Sequence, residues 1–108
     1  MKIINIHNSI TPDTLSAFLN KKLNPLFQQQ RRADISFIIK NLNDIVEISQ
    51  PDLYEGFLFK IEIRGTELLI TRSEHYVDDV NSLTAESVLY MLFEELAGKE
   101  GVTMVLEG

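Results

Sequence analysis

Two histidines, His7 and His75, are the only side chains here whose ordinary pKa places proton exchange near neutrality. His75 stands in the run Glu74-His75-Tyr76-Val77-Asp78-Asp79. Carboxylates beside an imidazole can hold a divalent ion or orient a general base. The order EHYVDD, however, matches no fixed metal-ligand spacing, and His7 closes a short apolar run as a turn residue. The serines lack the flanking glycines of a nucleophile elbow, and the five glycines are isolated, so no loop cradles a phosphate. Sixteen acids allow any pair to be drawn for glycoside chemistry, which deprives any one pair of meaning. With no cysteine, thiolate catalysis and sulfur-ligated zinc are excluded. The expectation is a protein that is not an enzyme and uses neither cofactor nor metal, with catalysis through His75 as a third reading.

Recognition chemistry is better represented. Asp52, Tyr54 and Glu55 lie in one connector, and Glu74, His75, Tyr76, Asp78 and Asp79 lie in another. Acids interleaved with amphipathic rings are the mixture that grips a basic protein surface. The charge along the chain is divided in the same sense. Residues 1–40 carry six bases against two acids, whereas the remainder carries fourteen acids against four bases. A surface of that sign steers cationic partners and repels nucleic acid. Arg31 and Arg32 have no aromatic or glycine pattern around them that would make a nucleic-acid site.

The two connectors flank the stretch 57–72, FLFKIEIRGTELLITR. Phe57, Phe59, Ile61 and Ile63 alternate with Leu58, Lys60, Glu62 and Arg64, a period of two that gives a strand one apolar and one largely wet face. Gly65 interrupts, and Leu68 and Ile70 resume the apolar set. A two-residue loop at Gly65-Thr66 pairs Ile63 with Leu68, and one at Arg64-Gly65 pairs Ile61 with Leu68; both keep the faces together. A hairpin brings its open ends together, so the two acidic connectors begin side by side.

The other elements follow the same rules. Residues 2–6 read as a strand inside the sheet. Thr11-Pro12-Asp13 starts a helix, with the threonine as cap and proline in the first turn. Its stripe is Leu15, Phe18, Leu19, Leu23, Leu26 and Phe27, with a kink or a restart capped by Asn24 expected at Pro25. Residues 34–40 set Ile35, Phe37 and Ile39 on one face of a strand. A loop at Leu42-Asn43 then pairs Ile39 with Val46 and Phe37 with Ile48. A second helix is expected from Thr84, with Ala85, Val88, Leu89, Leu92 and Leu96 inside, Glu86, Glu94 and Glu95 outside, and Gly98 as its stop. Met91 and Phe93 widen its apolar arc. Residues 102–106 supply a last strand.

The order βαββββαβ is that of a single α+β domain, a mixed or antiparallel sheet with two helices packed on one face. At 108 residues it buries enough surface to fold alone. No apolar run approaches a membrane span and the first residues do not form a secretory signal, so a cytoplasmic protein is expected. In size, acidity and lack of catalytic motifs the whole chain resembles the small acidic immunity proteins of bacterial toxin–immunity pairs, such as those of contact-dependent growth inhibition. That resemblance implies an inhibitor of a basic toxin, for instance a nuclease, and carries no motif residue with it. The alternative is a homodimeric small-molecule-binding or accessory domain using the apolar edge around Met91 and Phe93.

Overall fold

The structure, a computed structural model, describes residues 2–6, 9–32, 34–74, 76–97 and 103–106, with Ala97 and residues 103–106 described by backbone alone. The strands are β1 (Lys2–Asn5), β2 (Ile38–Leu42), β3 (Ile45–Ser49), β4 (Phe57–Arg64), β5 (Glu67–Arg72) and β6 (Thr103–Leu106), and the helices are α1 (Pro12–Arg31) and α2 (Val80–Ala97). They form one sheet in the order β2-β3-β4-β5-β1-β6, antiparallel at every pairing. Strand β1, one residue shorter than the expected 2–6, is therefore interior, between β5 and β6. Both helices lie on one face, where Ile4, Val46, Ile48, Phe59, Ile61, Leu68 and Ile70 meet Leu15, Leu19, Leu23 and Phe27 of α1 and Val88, Leu89, Leu92 and Phe93 of α2 in a single core.

In the central hairpin Ile63 faces Leu68 and Ile61 faces Ile70, so the loop is Gly65-Thr66. Gly65, at φ +60°, takes the first central position, where a primed turn needs left-handed backbone. A Cβ there would touch nothing within 4 Å, so Gly65→Ala should cost about 1 kcal/mol through backbone strain alone, read by urea denaturation.

The second hairpin differs from expectation. Ile39 faces Ile48 and Leu42 faces Ile45, and the loop is Asn43-Asp44. The slip is two residues, which leaves every side chain on its own face, so turn chemistry decides. Asn43 sits at φ +59°, a conformation asparagine tolerates and Leu42 would not. Residues 35–37 lie before β2, held by side-chain amides instead of a strand ladder. Asn24 donates to the Phe37 carbonyl at 3.1 Å and accepts from its amide at 2.7 Å, and Gln28 donates to the Ile35 carbonyl at 3.1 Å. Asn24 is thus a clamp, not a cap, and α1 runs through Pro25 as one helix. The Phe37 ring still reaches the core, edge-on to Phe27 at 4.8 Å.

Two further corrections bear on the site. Ile48 faces Phe59 while Ser49 faces Phe57, so Leu58 is an extra residue in β4, a β-bulge. Leu58 turns into the core at 1% exposure, and Phe57 is left half-buried with the Lys60 ammonium 4.9 Å from its ring. Helix α2 begins at Val80, a full turn before Thr84, which brings its N-terminus up to the acidic connector. The stop at Gly98 lies outside the described residues.

Candidate functional site

The connector 50–56 is folded by Gln50, which is buried. Its carbonyl accepts from the Leu53 and Tyr54 amides at 3.0 and 2.9 Å, curling the chain. Its side-chain amide donates to the Ser36 carbonyl at 2.7 Å while its side-chain oxygen accepts from the Asp52 amide at 2.8 Å. The loop is therefore fixed to the body of the domain before any acidic side chain is considered. At the far end of β5 the Ser73 amide donates to the Leu58 carbonyl at 3.1 Å, beside the bulge. Both connectors thus leave the central ribbon from adjacent points.

Tyr54 and Asp79 then join them. The Tyr54 hydroxyl donates to the Asp79 carboxylate, with its two oxygens at 2.9 and 3.0 Å. The same carboxylate accepts from the Ser82 amide at 2.7 Å, and the Asp79 carbonyl accepts from the Leu83 amide at 3.0 Å, the geometry of a helix N-cap. Burial works against ionisation of Asp79, but the Ser82 amide, the Tyr54 hydroxyl and the Asn81 amide outweigh it and hold the carboxyl below its ordinary value. Burial likewise raises the Tyr54 phenol, and Asp79 adds to the rise. Tyr54→Phe should cost about 1 kcal/mol by urea denaturation, with faster amide exchange at Leu53 and Leu83.

Around this junction Asp52, Glu55 and Asp78 are exposed, and none of the ion pairs among the described residues involves them. Glu74 is exposed and has an interaction of its own. His75 lies outside the described residues. Tyr76 is half-buried, its ring 4.6 Å from the Arg72 guanidinium, and burial followed by the charge of Glu86 pushes its phenol up to about 12. Of the eight residues singled out in the sequence, the structure therefore gathers Asp52, Tyr54, Glu55, Asp78 and Asp79 about one hydrogen-bonded junction. Asp79 belongs to its framework and not to its exposed charge.

Sequence reasoning missed two features. The first is the polar cluster beneath the second connector. Glu86 is only 8% exposed, although its place on the helix predicts a solvated side chain. Arg72 donates to it from Nε at 3.1 Å and from Nη2 at 2.8 Å to each oxygen, and Lys2 stands 3.8 Å away. The Tyr90 hydroxyl donates to the same carboxylate at 3.5 Å, with burial raising its phenol. These cations are directed at Glu86, and Arg72 also feels the charge of Asp78 without forming an ion pair with it. The signal was Arg72, a cation at a strand end in the otherwise acidic second half of the chain. The second feature is a set of exposed apolar side chains at the junction, Leu53, Val77, Val80 and Leu83, at 48, 57, 56 and 47%. Val80 and Leu83, at helical spacing but off the buried stripe, were the legible sign.

The edge expected around Met91 and Phe93 divides. Phe93 is fully buried, while Met91 is exposed. An open groove of about 290 Å³ is lined by Gly56, Phe57, Thr71, Arg72, Ser73 and Glu74. Among the described residues no three histidine or acidic side chains converge as a metal site, and no helix is long and apolar enough to cross a membrane. Compared with models of known families, with curated proteins and with solved structures, the chain shows no match.

Proposed function

We propose that this chain is a non-enzymatic binding module that engages and neutralises a basic protein, in the manner of an immunity protein or inhibitor acting on a toxin such as a nuclease of the contact-dependent growth inhibition type. The observation that carries this reading is the Tyr54–Asp79 hydrogen bond, which ties two acidic connectors into one unit around the exposed Asp52, Glu55 and Asp78. Carboxylates held on a folded loop lose less side-chain and backbone freedom on docking than carboxylates on a loose one. Their common sign also accelerates encounter with a cation-rich surface and disfavours like-charged competitors.

The test is capture from an extract of the source cells at low ionic strength, comparing the wild-type chain with a variant carrying Asp52→Lys, Glu55→Lys and Asp78→Lys. The expected result is a basic protein retained by the wild type, released at about 1 M salt where the Debye length shrinks to about 3 Å, and absent from the variant. Retention of the same proteins by both would remove these acids from the interface.

A further inference from the structure

Exposed apolar side chains accompany the acids on both connectors. Val77 lies two residues before Asp79, which caps α2, Val80 and Leu83 lie on the first turn of α2, and Leu53 adjoins Tyr54, which bonds Asp79. Each of the four is between 47 and 57% exposed, and Met91, 43% exposed, lies further along the same helical face as Val80 and Leu83. Asp52, Glu55 and Asp78 stand beside them in sequence and are exposed. Exposed apolar side chains interleaved with exposed acids on two segments joined by one hydrogen bond have the composition of a protein interface, whose apolar groups form the centre and whose charges form the border.

Resting on the function proposed above, we infer that Leu53, Val77, Val80 and Leu83 are the anchoring centre of the docking surface, and that its partner is a basic polypeptide presenting apolar side chains within a border of lysine or arginine. Charge selects this occupant. A second copy docked by the same patch would set Asp52, Glu55 and Asp78 against their own counterparts, since a two-fold interface is self-complementary and like charges oppose it. An anionic lipid surface would meet the same repulsion. A basic surface satisfies the border while its apolar groups cover the centre. The two parts then do different work: the acids set the salt-dependent rate of encounter, and the apolar anchors set the residence time.

Two synthetic peptides of equal length and charge separate these parts: a lysine/leucine peptide patterned as an amphipathic helix, and a lysine/serine peptide. Amide NMR titration of the intact chain should show the lysine/leucine peptide binding on the order of tenfold more tightly, with shifts at 52–55 and 77–83. Val80→Ser with Leu83→Ser, both surface changes, should erase that preference and leave the lysine/serine affinity unchanged, while the triple lysine variant should weaken both peptides. Equal affinities on the wild type, with shifts at Asp52, Glu55 and Asp78, would overturn the anchor and leave the acidic docking surface standing. Absence of binding by either peptide, or shifts confined to the sheet, would overturn both. A dimer in sedimentation velocity that the Val80/Leu83 variant abolishes would overturn the choice of a basic partner over a second copy.

Discussion

Replacing Arg72 with methionine is expected to lower the free energy of unfolding by about 3 kcal/mol, a large part of the ~5–15 kcal/mol available to a domain of this size. The effect comes from what is left behind. The Glu86 side chain is 11% exposed, and without the fork of Arg72 its carboxylate keeps, among the described residues, only Lys2 at 3.8 Å and the long contact to Tyr90. A carboxylate so placed must lose its charge or draw in water, and each costs more than the ion pair contributes. The reverse change, Glu86→Leu, should be milder, at about 1–2 kcal/mol, because the Arg72 side chain is 44% exposed and rehydrates where it stands. Combining the two should recover part of the loss, and the double-mutant cycle, measured by urea denaturation, should give a coupling of about 1–2 kcal/mol. Strict additivity of the two single changes would show that they do not form one unit.

Asp79→Ala should have the next largest effect, about 2–3 kcal/mol, since it removes an N-cap and a charge-assisted bond to Tyr54 together. Asp79→Asn retains a good capping residue and should cost about half as much. The two variants also separate the charge from the cap through pH. The folded-state carboxyl of Asp79 is depressed below its ordinary value, so its contribution is fully present above the unfolded carboxyl pKa of about 3.9 and is lost as pH falls through the lower folded one. Wild-type stability should therefore decline more steeply than that of Asp79→Asn below about pH 4. Parallel acid profiles for the two proteins would contradict the assigned role of the carboxylate.

The element order, the single sheet and the placement of both helices on one face were legible because the apolar residues repeat at unambiguous spacing. Ile61, Ile63, Leu68 and Ile70 admit one face, and Leu15, Leu19 and Leu23 admit one stripe. What the pattern could not resolve were choices to which it is blind. A two-residue slip of the β2–β3 hairpin leaves every face unchanged, so the register lay in the left-handed tolerance of Asn43 and not in hydrophobicity. The bulge at Leu58 interrupts an alternation that otherwise reads as perfect, exchanging the environments of Phe57 and Leu58. Glu86 and Asp79 were misread for a related reason. Local pattern placed Glu86 on a wet face and left Asp79, correctly in the connector, without its capping and bridging role, since their partners, Arg72 and Tyr54, are 14 and 25 residues away. That the connectors start together follows from the hairpin alone. Which side chain joins them does not.

The most direct test of the account is the association rate constant of the captured partner, followed by stopped flow across ionic strength for the wild type and for the Asp52→Lys, Glu55→Lys, Asp78→Lys variant. If these acids steer docking, the wild-type rate falls steeply with salt and the variant is slower at low salt by about an order of magnitude or more, the two converging as screening becomes complete. Rates that are equal and insensitive to salt would contradict it, and the joined acidic connectors would then be no docking surface.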